Sequence, residues 1–460
     1  MLIERLKAYC ETVTPMHMPG HMRSKEYPYL NRLGAEMDIT EIDGFDDLHH
    51  PTGILLQSMN DAAKLWQSGD TRYLVNGSTC GIVASVYALG MGGGKCVVSR
   101  NAHKSLYHAL EITGIEPVFV QSGFDCEIGA CTAVSHESIE HALDNTPDAK
   151  FVFLTSPTYE GVISDLKEIC EIAHRKKVPV IIDEAHGAHL GLTDDFPTGA
   201  VRAGADIVIQ SVHKTLLSLT QTAIMHISGN LVSLPDLEHA LDIFETSSPS
   251  YLLMASIDGC VRTLIQDKER IFRAWRKNID EFRFGARNLK RVSLWKSAGA
   301  FDESKLILTH PNLTGVELMD LLRSRFSIEL EAAYPRYAVA MTGAGTKRES
   351  LLRLLDALYE IDREKLDERQ LPKPVQPGIP VSVLSIKEAL TRPWETMDIA
   401  HVVGRVSAEY AWAYPPGVPV IAPGERIDEN AVSVWQDLVR SGANTLKTKS
   451  AEGFFAVVRE

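Results

Sequence analysis

The chain has 460 residues, of which 45% are hydrophobic and 23% are charged, and its formal net charge is -13. This length predicts two to four domains, and the composition is that of a soluble globular protein. The acidic balance argues against a nucleic-acid or anionic-membrane partner, because both require a basic surface. The seven cysteines form no CxxC pair, and no secretory leader or membrane-length apolar run occurs, which predicts a cytoplasmic protein without disulfides.

The chain divides into five predicted parts. Residues 1–50 are expected to form an arm that starts with an amphipathic helix. Residues 51–260 alternate apolar strands with helical stretches, which predicts a large α/β domain with a mostly parallel seven-stranded sheet. Residues 261–370 are helical and charge-laced and are assigned to a small-domain segment. Prolines mark residues 371–380 as a linker, and residues 381–460 are expected to form a smaller C-terminal α+β domain.

Five polar clusters directly follow apolar strands of the large domain. Ligands of an open parallel sheet bind outside the carboxyl ends of its strands, so these clusters are expected to share one crevice. They are GSTCG at 77–81, NAHKS at 101–105, SPTYEG at 156–161, DEAHGAH at 183–189 and SVHKT at 211–215.

The GSTCG cluster lies between a strand and an apolar helix. Its glycines permit close backbone approach, while Ser78, Thr79 and the free amides of the helix start can donate to an anion that the helix dipole attracts. This arrangement is typical of a phosphate site. The alternative is simple helix capping, for which Ser and Thr are also favoured.

The strand VPVIID ends in Asp183, which also resembles the magnesium-binding carboxylate of an ATPase. That interpretation requires a P-loop, and GMGGGKC at 90–96 has Leu89 in place of the first glycine and Cys96 in place of the Ser or Thr. A buried Asp183 still requires a cationic partner. A protonated ring nitrogen would serve.

Histidines are frequent in and near these clusters, and a metal site is therefore an alternative. The HExxH spacing is absent, however, and DEAHGAH is expected on a loop. We predict no metal. A histidine can instead stack on a planar ring, as expected for His103, or donate to a phosphate, as expected for His213.

Together, a phosphate cradle, an acid for a ring nitrogen, a stacking imidazole and a lysine at a strand end predict a site for pyridoxal 5'-phosphate (PLP). In that chemistry the lysine forms a Schiff base with the cofactor, and the protonated ring draws electrons from the substrate's α carbon. Lys214, which follows the buried strand DIVIQ, is the predicted anchor.

At these residues the sequence resembles the Orn/Lys/Arg decarboxylase family in its short bacterial form. The resemblance covers nearly the whole chain, and its signatures occur in the family's order: MHMPGH at 16–21, DITEIDGFDDLHHPTG at 38–53, the five clusters, and YPPGVPVIAPGE at 414–425. It implies a fold-type I (aspartate aminotransferase-like) enzyme.

The resemblance implies a role for each site residue. Ser78, Thr79, Ser211 and His213 would hold the phosphate, and His103 would stack on the ring. Asp183 would pair with the pyridine nitrogen, and Ala185 would pack beneath the ring. His186 would contact the phenolic oxygen of the ring, and Lys214 would be the covalent anchor. The residues predicted to be catalytic are Lys214, His103 and Asp183.

The implied reaction is α-decarboxylation of a basic amino acid, with arginine slightly preferred over lysine and ornithine, in polyamine metabolism. A homodimer, or an assembly of dimers with sites at the interface, is also implied. Asp43, Asp46 and Asp47 are candidates for gripping the substrate's distal cation, with a solvated acidic loop as the alternative. The family commonly has a lysine where this chain has Met22 and Arg23, and many members have a polar amide at Ile82.

Two other functions stay open at the level of sequence. Another fold-type I reaction, transamination or aldol cleavage, would share the anchor and the acid. SPTYEG stands where aminotransferases of this fold usually have an NPTG-like loop, and no counterpart of their carboxylate-binding arginine is evident. A PLP-binding regulator without catalysis is the third possibility, and it would bind the cofactor without turnover.

Overall fold

A computed structural model describes residues 1–365, 368–413 and 417–459. Its α-helices, α1 to α15, are Leu2–Thr12, Pro28–Arg32, Ile54–Trp66, Gly77–Gly90, Lys104–Thr113, His136–Asp144, Leu166–Arg175, Ala200–Ala203, Val212–Thr215, Leu234–Phe244, Tyr251–Ala286, Gly315–Phe326, Arg348–Arg363, Ile386–Thr391 and Glu429–Arg440. Its strands, β1 to β18, are Asp70–Leu74, Lys95–Ser99, Glu116–Val120, Phe124–Asp125, Ala130–Cys131, Val152–Thr155, Val180–Asp183, Ile207–Gln210, Ala223–Ile227, Ser293–Trp295, Lys305–Thr309, Ala332–Ala333, Tyr337–Met341, Trp394–Asp398, Ala411–Ala413, Val418–Ile421, Thr445–Lys447 and Phe454–Val458. Two 3-10 turns are Ala35–Met37 and Ile399–His401.

The largest sheet has seven strands in the order β1-β9-β8-β7-β6-β2-β3. Strands β8, β7, β6, β2 and β3 pair in parallel, whereas β9 is antiparallel to both of its neighbours. All seven predicted strands are present, and the prediction of a mostly parallel sheet is confirmed. Every residue of β7 and β8 is buried, and so is every residue of β6 apart from Thr155. Strands buried in this way require near-continuous apolar runs, which these three sequences have.

Glycine lets helix α4 pack closely on this sheet. A Cβ at Gly81 would lie 2.7 Å from Leu74 Cδ1 and 3.2 Å from Ile209 Cγ2, so a larger residue would push the helix outwards. This close packing holds the N-terminus of α4 against the carboxyl ends of the neighbouring strands.

A 36-residue helix, α11, leads from the large sheet to a second sheet of four antiparallel strands in the order β10-β11-β13-β12. Trp275 and Phe272 of this helix pack with the core on the large sheet, while Phe282 packs with the second core, which lies against α12 and α13. The predicted boundary between residues 260 and 261 therefore falls inside one continuous helix. We propose that α11 is shared by the two domains.

The C-terminal region contains α14, α15, a two-stranded sheet and a three-stranded sheet in the order β16-β15-β17. Its composition of short helices and antiparallel strands confirms the predicted α+β character. The predicted linker, 371–380, contains no helix or strand. Residues 414–416 at the start of the YPPGVPVIAPGE signature lie outside the described residues.

The N-terminal arm begins with α1, which buries Leu2 and Leu6 against the large core. Asp46 accepts hydrogen bonds from the backbone N–H groups of Thr52, Gly53, Leu55 and Leu56 and so caps α3. Asp47 accepts from the N–H of His49, and Asp43 is exposed. None of the helices in the described ranges is long and apolar enough to cross a membrane.

Candidate active site

A cavity of about 790 Å³ opens at the carboxyl ends of the parallel strands. Each of the five polar clusters contributes to its wall, which confirms the prediction of a single crevice. The wall includes every predicted site residue: Ser78, Thr79, His103, Asp183, Ala185, His186, Ser211, His213 and Lys214. Asp43, Asp46 and Asp47 do not line it within the described part of the chain.

The N-terminus of α4 forms one end of the crevice. Gly77 has a φ of +78°, a left-handed conformation that glycine adopts without strain, and it turns the chain from β1 into the helix. Ser78 Oγ lies 2.6 Å from Ser211 Oγ, so hydroxyls from two clusters meet beside the free amides of the first helical turn. These donors fit a phosphate group.

His213 lies in the short helix α9, directly after β8. Its Nδ1 donates to the carbonyl oxygen of Thr222 at 2.7 Å, which leaves Nε2 as the nitrogen available to a ligand. Burial, together with the charge of Lys214, lowers the pKa of His213, although the bond to Thr222 opposes this shift. A nearby phosphate dianion would favour the protonated ring, which could then donate through Nε2.

His103 is the N-cap residue of α5. Its Nδ1 accepts from the backbone N–H of Ser105 at 3.2 Å and lies 2.8 Å from the Ser105 hydroxyl. Burial and the charge of Lys214 lower the pKa of His103 to about 3. The imidazole is therefore a neutral, oriented plane on the cavity wall, which fits stacking on an aromatic ring.

Asp183 ends strand β7, and its Oδ1 accepts the N–H of Ala185 at 3.1 Å. Burial raises the pKa of Asp183, and the charge of Lys214 opposes that shift. Thr155 pairs with Asp183 in register, and its hydroxyl is buried without a partner among the described residues. An unpaired hydroxyl beside a buried carboxylate fits a polar, cationic edge of a ligand in this place.

Lys214 is also in α9, and its amine lies 2.9 Å from His186 Nε2. Burial lowers the pKa of Lys214, while Asp183 and Glu331 oppose this effect. The strand end, the short helix and the buried surroundings together hold this amine on the wall of the cavity. These residues thus fit PLP: a cradle for its phosphate, an acid for its ring nitrogen and an amine for its aldehyde.

A second lysine, which the sequence did not reveal, contacts the other side of the same imidazole. Lys305, the first residue of β11, is 0% exposed, and its Nζ lies 2.7 Å from His186 Nδ1. Burial lowers its pKa to about 8, against the opposing charges of nearby carboxylates. A lysine at the start of an apolar strand is ordinarily a surface residue, so the sequence pattern carries no signal for this position.

The SPTYEG cluster surrounds this lysine. The Tyr159 ring centroid lies 5.7 Å from Lys305 Nζ and 4.8 Å from the His186 ring, and the Tyr159 hydroxyl donates to Glu331 at 2.6 Å. Glu160 accepts from the Tyr337 hydroxyl, also at 2.6 Å. Burial raises the pKa of Glu160, and the bond from Tyr337 opposes this.

No group of three or more His, Cys, Asp or Glu side chains within the described ranges converges as a metal site would require. All seven cysteines are free thiols. The fold and the lysine-bearing crevice together define a fold-type I enzyme site.

The chain belongs to the Orn/Lys/Arg decarboxylase family. The family's major-domain model matches residues 3–304, and the model of its C-terminal domain matches residues 377–445. A curated relative, the arginine decarboxylase of Bacillus subtilis (strain 168), is 33% identical over 434 residues, which cover 91% of this chain and 89% of the relative.

Two solved structures support the fold. The constitutive lysine decarboxylase of Escherichia coli superposes with a TM-score of 0.83 at 19% identity, covering all of this chain and 82% of that one. A ureidoglycine–glyoxylate aminotransferase from Bacillus subtilis superposes with a TM-score of 0.58 at 17% identity, covering 76% of this chain and 94% of that one. The predicted fold-type I architecture is thereby confirmed.

Proposed function

We propose that the protein is a PLP-dependent decarboxylase of basic amino acids, which releases carbon dioxide and the corresponding amine. The observation that carries this proposal is the buried Lys214 amine at a strand end, in one cavity with Asp183 and with the α4 N-terminus. Membership of the decarboxylase family supports the reaction type.

The residues that would hold PLP come from all sides of the crevice. Ser78, Thr79, Ser211 and His213 would bind its phosphate, Asp183 would pair with its ring nitrogen, and Lys214 would anchor it. The ring would also contact three further side chains, those of His103, Ala185 and His186. When bound, PLP supplies an electron-accepting ring that stabilises the charge left on the substrate's α carbon as carbon dioxide departs.

The protein's own groups would do the remaining work. The Asp183 carboxylate, buried at the strand end, would pair with a protonated ring nitrogen and thereby favour that protonation state, because an opposite charge nearby favours the charged form. The apolar side chains of Ile82 and Ala185 in the cavity wall exclude water, which weakens the solvation of a departing carboxylate. Lys214 Nζ and His186 Nε2, at 2.9 Å, can exchange a proton.

Arginine is the preferred substrate in this proposal, followed by lysine and ornithine. The support is the 33% identity with a relative named arginine decarboxylase. We further propose a cytoplasmic role in polyamine metabolism. Arginine ends in a planar guanidinium, whereas lysine ends in a point charge. A carboxylate at the far end of the substrate that is oriented for two parallel hydrogen bonds would therefore favour arginine over lysine.

We also propose a homodimer, or an assembly of dimers, with the sites at the subunit interface. Several large apolar side chains of the arm are exposed, and a second copy of the chain would cover them: Met16, Met18, Met22, Tyr27, Tyr29 and Leu33. Light scattering of the purified protein would measure the oligomeric state.

Carbon dioxide release from the PLP-loaded protein, offered arginine, lysine and ornithine separately, tests the function. We expect release from arginine first, a visible absorbance band from the lysine-bound cofactor, and the loss of both in Lys214→Ala, because that substitution removes the amine that anchors the cofactor. A normal band with no release from any of the three would contradict the decarboxylase assignment and favour the regulator. A keto-acid product would instead favour transamination.

A further inference from the structure

Two stacked tyrosines, Tyr334 and Tyr337, line the cavity where it meets the second sheet. They stand on either side of the two-residue turn that joins β12 to β13, and the N–H of Tyr334 donates to the carbonyl oxygen of Tyr337 at 2.8 Å. Opposite positions across a turn bring side chains together, and these ring centroids are 4.6 Å apart with 22° between the ring planes. Tyr337 is buried and Tyr334 is half-buried, so Tyr334 is the ring that can offer a face to a ligand.

A buried carboxylate, that of Glu160, is bonded to this pair. Glu160 is 6% exposed, and its Oε1 accepts from the Tyr337 hydroxyl at 2.6 Å. Gly161, the next residue, has a φ of +103°, and a Cβ there would lie 2.8 Å from Lys305 Cγ and 3.1 Å from the carbonyl oxygen of Asp302. The glycine therefore lets the chain at Glu160 lie directly against the second sheet.

A second carboxylate, that of Glu331, acts on the same ring. Burial raises the pKa of Tyr334 well above its ordinary value, and the charge of Glu160 and, to a smaller extent, that of Glu331 add to this shift. Neither carboxylate forms an ion pair with another side chain in the described part of the chain. Lys305 acts on both from a distance but bonds to neither. Two carboxylates at one aromatic ring, without a bonded counter-charge, fit a cationic ligand group.

A short series of contacts connects these groups to the Lys214 amine. That amine lies 2.9 Å from His186 Nε2, the His186 and Tyr159 ring centroids are 4.8 Å apart, and the Tyr159 hydroxyl donates to Glu331. The charge of Glu331 also opposes the effect of burial on the pKa of Lys214. A substrate that reacts at Lys214 would thus extend its distal cation along the Tyr159 side of the wall.

We propose that Tyr334 and Glu160 form a subsite for the distal guanidinium of arginine, with Glu331 as the second carboxylate. This inference rests on the proposed function. A guanidinium is planar and stacks on an aromatic face, while its N–H groups donate to carboxylates in its own plane. The ammonium of lysine or ornithine is a compact point charge without a plane to stack. The subsite therefore favours arginine.

The test is the binding of agmatine and cadaverine to the full-length protein saturated with PLP. These amines are what remains of arginine and lysine after carbon dioxide has left, so they present the two distal cations without turnover. Isothermal titration calorimetry gives a Kd for each amine. The kcat/KM values for carbon dioxide release from arginine and lysine give the matching kinetic comparison. In the wild type we expect agmatine to bind more tightly than cadaverine.

Two variants should change this binding in different ways. Tyr334→Leu removes the aromatic face, so agmatine should bind about tenfold more weakly while the Kd of cadaverine changes by less than about threefold. Glu160→Gln keeps the shape but removes the charge, so both amines should bind about tenfold more weakly or worse, because each loses a charge-assisted hydrogen bond. Tyr359→Leu is the matched control: this half-buried tyrosine of α13 packs on the second core and bonds to the carbonyl oxygen of Gly285. Both Kd values should stay unchanged in that protein.

Unchanged agmatine binding in the two cavity variants would overturn the proposal. An equal loss in Tyr359→Leu would also overturn it, because the effect would then be a general loosening of the second core. If thermal unfolding shows that one cavity variant is not folded, the pattern in the other decides. Failure of the proposed function gives a different result: the wild type would release no carbon dioxide from any of the three amino acids, yet it would still prefer agmatine, and Tyr334→Leu would abolish that preference.

Discussion

At the scale of single residues, the crevice concentrates ionisable groups in a buried place where their charges are strongly coupled. Burial raises the pKa of Asp183 and lowers that of Lys214, and each residue partly reverses the shift of the other. Such paired perturbations in a cavity are common at functional sites, where burial and a specific charge partner shift the pKa values of the reacting groups. Because the charges are coupled, replacing a charged side chain by a neutral one of nearly the same size is informative. Such a substitution changes the electrostatics of the site with little change of shape.

Asp183→Asn tests the role of the carboxylate. The amide has nearly the same size but cannot stabilise a protonated ring nitrogen, so kcat should fall about a hundredfold or more, by analogy with the loss of one charge-stabilising group in other enzymes. Lys214 is intact, and the visible band should therefore form. Steady-state rates with cofactor absorbance measure both quantities, and an unchanged kcat would contradict the assigned role.

At the scale of elements, the arm and helix α3 depend on Asp46, one of the residues for which the sequence suggested a substrate contact. Burial would raise the pKa of Asp46, but four backbone N–H groups outweigh it and hold the pKa below its ordinary value. The Asp46 carboxylate thus caps the N-terminus of α3, although Asp46 itself lies in the arm before that helix. The stabilisation is present above the unfolded-state pKa of about 3.9 and is lost as the pH falls through the lower folded-state pKa.

Asp46→Ala should therefore reduce the free energy of unfolding by about 1 kcal/mol at pH 7, as the loss of a helix cap does elsewhere. The difference from the wild type should narrow as the pH falls below about 4, where the carboxylate becomes protonated in both states. Urea unfolding midpoints at several pH values measure this. Asp43→Ala, at an exposed neighbouring position, is the matched control, and an equal loss in that variant would argue against the cap.

At the scale of the whole molecule, a buried ion pair joins the large sheet to the C-terminal region. Arg100, directly after β2, donates from both terminal nitrogens to Glu425, at 2.5 and 3.0 Å. Both side chains are buried, and Glu425 also accepts the N–H of Ala422. The last residue of the YPPGVPVIAPGE signature is therefore structural, and it fixes this region beside the crevice.

Glu425→Gln should destabilise the protein by about 3 to 5 kcal/mol, because it leaves the Arg100 guanidinium buried without its counter-charge. The double variant Arg100→Met, Glu425→Leu should recover most of that loss, since apolar residues of similar volume can replace a buried pair. Thermal unfolding of the three proteins gives the comparison. Equal loss in the single and the double variant would mean that packing, not charge, joins these regions.

Much of the fold could be predicted because its signals are local. Val180 to Asp183 and Ile207 to Gln210 are apolar runs that end in polar residues, and a parallel sheet necessarily brings such ends to one edge. Lys305 could not be predicted in this way. Its burial depends on a glycine more than a hundred residues earlier and on the approach of a second sheet, neither of which leaves a mark in the sequence around ESKLILT.

The sequence by itself determined the strand order along the chain, the crevice at the strand ends and the residues that face it, because side-chain polarity and strand periodicity act over a few residues. Only the tertiary structure decided that Asp46 caps a helix, that Glu425 closes an ion pair, and that Lys305 lies against His186. These contacts are made between residues far apart in the chain. The packing of the sheets, helices and arm decides which residue each of these charged side chains contacts. The role of a buried charge can therefore be assigned only when its partner is known.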